Sequence, residues 1–181
     1  MRIKDRLHII ISVHTEIQRG AIMRNKKETS DMSNVGIIRK IDDISELKDE
    51  LIAVFESKSK KDISRYGLLL VQHMLSLTNV EPCEVINECI DVSRRWQEEK
   101  ATYQETRQAA AMIPDLARAE KDPVKSKVLR VVGQVTLIPH VKRHGLIASE
   151  YAITLINLMY PNNLEEVRKE REIQIELMKS V

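Results

Sequence analysis

Apolar residues recur at spacings of three and four along most of the chain, the pattern of helices that turn one face inward. Ile44, Leu47, Leu51 and Phe55 form the first such stripe, a helix of about three turns. Tyr66, Leu69, Leu70, His73, Met74 and Leu77 form the next, with Asp62 placed to cap it. Pro82 suits a first helical position, and Val85, Cys89, Val92 and Trp96 follow as an inward face. Thr102-Tyr-Gln-Glu105 matches the capping box, which pairs two orphan backbone donors at a helix start. The helix it opens carries Ala109, Ala110, Met112, Ile113 and Leu116, and Pro114 is predicted to kink or split it, because proline removes a ladder hydrogen bond.

Asp122-Pro123 reads as a cap followed by a helix-starting proline. Val124, Val128, Val131, Val135 and Ile138 follow at spacings of four, three, four and three. Val and Ile also suit strands, but this regular spacing decides for helix. Pro139 ends or bends it. Leu146–Tyr160 is apolar on most sides, as a central helix would be, with Ile147, Tyr151, Thr154, Leu155 and Leu158 as its expected inward face. Pro161-Asn-Asn163 breaks it, and a charged last helix restarts at Asn163 with Leu164, Val167, Gln174, Leu177 and Met178 inward. The sum is an all-α bundle of about seven helices with short connections and antiparallel neighbours.

Residues 1–18 fit two patterns. Leu7, Ile9, Ile11 and Val13 alternate as in a strand, while Ile3, Leu7, Ile10 and Ile17 form a helical stripe. Arg19–Asn34 is polar and aperiodic, a linker pattern, with Met32 near its end as a candidate start. The expected organisation is an extension over residues 1–34 and one helical domain over residues 35–181.

Composition supports this picture. Five Gly, five Pro, one Trp, one Phe and four Tyr are too few turn and aromatic residues for a sandwich or barrel. The net charge of +2 is uneven: residues 1–30 hold seven Lys/Arg against three Asp/Glu, and the remainder is slightly acidic. A near-neutral body with few aromatics lacks the basic stacking surface of a nucleic-acid binder. Cys83 and Cys89, about 240° apart on a shared helix, cannot bridge, and two free thiols fit the reducing cytoplasm. The apolar run near the start is interrupted by His8 and lacks a small-residue cleavage site, unlike a signal peptide. No apolar run reaches the length of a membrane span.

Candidate chemistry concentrates at a cationic elbow, His140-Val-Lys-Arg-His144, between two apolar segments. On a helix the two imidazoles would share a face, half of a zinc site. The metalloprotease glutamate is missing, Lys142 and Arg143 oppose a cation, and Glu150 is the one third ligand within reach. The economical expectation is that the histidines bond backbone groups freed at the Pro139 break, with no metal and no cofactor. Gly133 and Gly145 in apolar helical context point to close helix packing, or to a turn at Gly145. Arg94-Arg95-Trp96 closes a helix, where cations suit the helix dipole and Trp anchors a core; the functional alternative is a partner hot spot. The run from Glu165 to Glu172 reads as a solvated helix face. Cys83 lies near a helix start with no histidine close in sequence, and no nucleophile sits beside a base.

Several residues together carry a family resemblance: Gly133-Gln134 with Thr136, then His140-Val141-Lys142-Arg143-His144, then Glu150-Tyr151-Ala152. Looser matches are Ile90 with Arg94–Trp96, the Arg107 and Ala109-Ala110 helix, and Glu170-Arg171 with Gln174. In these the chain, from Ile44 to Met178, resembles a bacterial family of predicted immunity proteins from polymorphic toxin systems, the class-five immunity-like helical domain. It departs from the family's alanine-rich interior, and it has Met112-Ile113-Pro114 where relatives carry a polar, His-containing turn. Residues 1–43 find no counterpart. The resemblance implies an all-helical bacterial protein of the cytoplasm that neutralises a cognate protein toxin by binding it, without catalysis. His140, Lys142, Arg143, His144, Tyr151, Arg95 and Trp96 are the expected partner contacts. Two alternatives stand beside it: a metal-binding or hydrolytic protein using His140 and His144, and a self-associating helical module whose partner is a second copy.

Overall fold

The computed structural model describes residues 41–181. The extension expected over residues 1–34 lies outside them. The described residues form eight helices: α1 Ser45–Ser57, α2 Lys60–Thr78, α3 Glu84–Gln97, α4 Tyr103–Ala110, α5 Ile113–Ala119, α6 Pro123–Thr136, α7 His144–Met159 and α8 Leu164–Lys179. No strand occurs among them. The one helix more than the stripes predicted comes from Pro114, which divides a single amphipathic run into α4 and α5.

Local chemistry sets the boundaries. Thr102 and Glu105 form the capping box expected at α4. Asp122 caps α6 by accepting from the Val124 and Lys125 amides, with Pro123 at the first helical position. Asn163 caps α8 through the Glu165 and Glu166 amides. Asp62, expected to cap α2, is instead its third residue. Ser59 is the cap, and the two side chains close a reciprocal box that draws the Asp62 carboxyl below its usual range. Pro82 likewise precedes the cap of α3, which is Cys83. Asn79 ends α2 in the left-handed region (φ 52°), which asparagine tolerates. Asp122→Ala leaves the α6 amides unbonded; urea unfolding is expected to show a loss of about 1 kcal/mol.

α6 is the hub. It packs against α2, α3, α4, α5 and α7. Most of its predicted stripe is buried: Val128, Val131, Val135 and, just beyond the helix, Ile138 are at most 1% exposed, while Val124 in the first turn is half-buried. Each such side chain taken from water contributes about 1.5–3 kcal/mol. α8 closes the other side of α2, against α1 and α7.

Two expected faces are corrected. On α7 the buried residues are Gly145, Ala148, Ser149, Glu150, Ala152, Ile153, Leu155 and Ile156. Of the expected inward set only Leu155 is buried; Ile147, Tyr151 and Thr154 are half-buried, and Leu158 is exposed. The small residues of the first two turns face inward because they let the α7 backbone approach its neighbours, and Ile153, Leu155 and Ile156 are buried farther along the helix. On α8 the charge run is a solvated face only in part: Glu165, Arg168, Lys169 and Glu172 are exposed, but Glu170 and Arg171 are buried with Val167, Gln174 and Met178, while Leu164 is exposed.

Candidate functional site

The elbow between α6 and α7 is a run of tight turns rather than helix. Successive amides bond back three residues, including Ile138 to Val135, His140 to Leu137 and His144 to Val141. The two histidines therefore do not stack on one helical face. His140 is exposed and stacks on Tyr103 of α4, ring centroids 5.9 Å apart. His144 is half-buried, and its Nδ1 donates to Gln134 Oε1 (2.7 Å). Burial, and then the nearby His140, hold its pKa below the usual value. At the break Pro139 O is served by a lysine instead of the expected histidines, and a second lysine reaches from the elbow to the end of α1. Lys142 Nζ donates to Phe55 O at the end of α1 (2.8 Å) and lies 4.3 Å from the Phe55 ring centroid, while Lys60 reaches Pro139 O. A cation suits that position, where the carbonyls of α1 leave a partial negative charge.

Beyond the elbow, α6 and α7 lie antiparallel and present two matched stripes. Lys127, Arg130 and Gln134 recur at three and four on α6; His144, Ile147 and Tyr151 do so on α7. All six are half-buried. The Gln134–His144 bond ties the stripes at one end. Further along, Lys127 Nζ and the Arg130 guanidinium lie 6.0 and 5.9 Å from the Tyr151 ring centroid. Among the described residues Lys127, Arg130 and Arg143 form no ion pair.

Arg95 and Trp96, at the end of α3, are half-buried. The Arg95 guanidinium is held by Asp91 (2.9 Å) and Glu105 (3.5 Å). The first turn of α4 links this corner to the elbow, since Tyr103 meets His140 and Glu105 meets Arg95.

The cluster that sequence reasoning missed lies inside. Arg171, with a side chain 0% exposed, binds Asp43 through Nε and Nη2 (2.9 and 2.6 Å), Glu150 through Nη2 (3.1 Å) and Gln174 through Nη1 (2.9 Å). Lys48 adds a second cation on Glu150 Oε1 (3.0 Å). Gln174 donates onward to Glu170 (2.7 Å), and Glu170 accepts from His73 Nε2 (2.8 Å). Glu150 Oε2 has no hydrogen-bond partner among the described residues. Nearby, Ser149 Oγ donates to Gly145 O, so the Tyr66 hydroxyl donates to Ser149 (2.7 Å). The available signal was the helical period: between Val167 and Gln174 the inward face of α8 must pass through positions 170 and 171.

The His73–Glu170 pair has a pH signature. The Glu170 carboxylate raises the His73 pKa above its ordinary value, against the opposing effect of burial. A histidine raised on folding stabilises fully below its unfolded pKa of about 6.5, and that contribution is lost as pH rises through the folded value. Urea midpoints measured across that window are expected to fall with pH more steeply for the wild type than for His73→Gln.

No three or more His, Cys, Asp or Glu side chains stand together as a metal site among the described residues. Glu150 lies six residues beyond His144 on α7, about 240° around the helix, and its Oε1 is engaged by Arg171 and Lys48. Cys83 is exposed; Cys89 is buried, which pushes its thiol up to about 11. No helix among the described residues is long and apolar enough to cross a membrane.

Neither the curated proteins nor the solved structures compared with the chain include a match. A family model does match, over residues 53–181, from within α1 to the last residue. The match begins later than the sequence resemblance and takes in α6, the elbow, α7 and all of α8. By it the chain belongs to the family described as Imm-5 like putative immunity protein.

Proposed function

We propose that the chain is a non-catalytic bacterial protein of the cytoplasm that neutralises a cognate toxin of a polymorphic toxin system by binding it directly. Family membership across seven of the eight helices and part of the first carries this reading. The binding surface is the elbow with the α7 edge beside it: His140, Lys142, Arg143, His144 and Tyr151, with Arg95 and Trp96 at the neighbouring corner. The domain that presents it is residues 35–181, and residues 1–34 are an appended extension.

The chemistry of the site supports a binding role. Neither elbow histidine is paired with a nucleophile: one stacks on Tyr103 and the other bonds Gln134. Cys89 is sealed in the core. An inhibitor needs a rigid scaffold, a few anchoring side chains and charges that set encounter rate and selectivity. If a toxin domain is encoded beside the gene, co-expression with it is expected to restore growth and yield a co-purifying complex. A chain that protects against no such toxin and forms no complex would overturn the reading.

A further inference from the structure

The cations of the molecule are unevenly answered. From Pro123 to Ser149 the sequence holds Lys125, Lys127, Arg130, Lys142 and Arg143 and no Asp or Glu. Elsewhere among the described residues the balance differs: Lys61, Arg65, Arg95, Lys169, Arg171 and Lys179 each meet a carboxylate, while Arg94, Arg107, Lys121 and Arg168 stand exposed without one. Within the stretch Lys125 meets Glu120, and Lys142 is spent on Phe55 O and its ring. Lys127, Arg130 and Arg143 remain without a carboxylate among the described residues, and two of them crowd one tyrosine ring.

This crowding is unfavourable in the isolated chain. Lys127 is partly desolvated and sits beside a like charge, which together hold its pKa below the usual lysine value. A carboxylate that arrives here offsets the like-charge repulsion and pairs the partly desolvated ammonium. The Tyr151 ring and Ile147 supply apolar contact between the cations and the Gln134–His144 clasp, the mixture of aromatic anchor and cation that binding hot spots favour.

We propose that the α6–α7 face, with Lys127, Arg130 and Tyr151 at its centre and Arg143 at its rim, docks an acidic protein surface whose carboxylates pair with the unanswered cations. The proposal rests on the toxin-binding reading and adds the chemistry of the partner. A carboxylate-bearing surface fits better than nucleic acid. Three free cations and one aromatic ring are too few to follow a phosphate backbone, which needs an extended basic track with stacking rings. The face also excludes docking onto a phosphate-binding active site, because such a site is itself cationic and would repel it. The toxin is therefore met at an acidic surface.

The test uses the full chain with two probes at low salt, a short polyglutamate peptide and a single-stranded RNA of similar length, read by fluorescence anisotropy. The peptide is expected to bind the wild type in a salt-sensitive way. K127E/R130E is expected to weaken it by about tenfold or more. K121E/R168E, an equal charge change on exposed cations elsewhere, is expected to leave it within about twofold. K127Q/R130Q, which adds no repulsion, is expected to fall between, and circular dichroism identifies any variant that fails to fold. Absence of peptide binding, equal loss in both reversal variants, or tighter binding of RNA would each overturn the proposal. Co-expression with the toxin separates the two levels. If K127E/R130E protects as well as the wild type, this face is wrong and toxin binding stands. If the wild type itself protects against no toxin, the function is wrong, and the peptide experiment alone judges the face.

Discussion

Arg171→Met is expected to lower folding stability by about 3–5 kcal/mol, because it removes one partner from a buried ionic cluster and leaves the other charges in place. Asp43 and Glu150 lose a guanidinium that supplies three charge-assisted contacts, and Gln174 Oε1 loses its donor. Glu150 already has one oxygen without a partner, and only Lys48 would then offset its charge. Against a total stability of about 5–15 kcal/mol this is enough to shift the chain toward the unfolded state. Replacing the whole set, D43N/E150Q/R171M, is expected to recover much of the loss, since a cluster removed together leaves no stranded charge. Urea midpoints at equal m-value measure both effects. A single-variant loss under about 1 kcal/mol would show that solvent reaches the cluster and screens it. The network matters beyond α8, because Asp43 lies outside the family match and is joined through Arg171 to α7 and α8.

That cluster also shows where sequence reading stops. Three helix starts were legible because they depend on neighbours in sequence: Thr102 with Glu105, Asp122 with Pro123 and Asn163 with the amides that follow; those of α2 and α3 lay a few residues from where Asp62 and Pro82 pointed. The split at Pro114 was legible for the same reason. The α6 stripe was legible because five branched apolar residues at helical spacing leave one inward face. α7 was not, since with apolar residues on most sides the choice of face depends on what packs against it. Gly145, Ala148, Ser149 and Ala152 won that face by smallness, which hydrophobicity does not report. Glu170 and Arg171 were hidden for a related reason: whether a charge faces solvent depends on partners more than a hundred residues away, as Asp43 is from Arg171.

At the candidate site the elbow was visible as chemistry, and its wiring was not. Five ionisable or apolar residues in a row after a proline announce a break in an apolar wall. They do not reveal that Lys142 caps α1, that His140 leans on Tyr103, or that Gln134 holds His144. Lys127 and Arg130 drew no notice in sequence, because two cations on the polar side of an amphipathic helix are ordinary. Only the antiparallel pairing of α6 and α7 brings them to Tyr151.

Gly145→Ala is expected to destabilise the protein by about 1–3 kcal/mol, against the helix propensity that favours alanine by about 1 kcal/mol. Gly145 lies in the first turn of α7, where the chain leaves the elbow and meets α2. A Cβ there would fall 2.4 Å from Ile63 Cγ2, with the Phe55 ring and Ile138 close behind. Carbon atoms pack at about 3.5–4.0 Å, so one backbone must move. Ile63 gives little: it is 0% exposed, its offending methyl is branched at Cβ, and the α2 helix fixes that branch. The movement therefore falls on the elbow, which is anchored at both ends by Lys142 on Phe55 O and His144 on Gln134. Gly145→Val extends the same clash and is expected to cost more. Ile63→Ala makes room at the contact, so I63A/G145A is expected to be more stable than the sum of its singles by about 1 kcal/mol. Gain of stability in the alanine single, or a double mutant that merely adds, would mean that α7 is not pressed against α2 at this point. The elbow's position would then be set by its side-chain clasps alone, and the α6–α7 face would owe its shape to them.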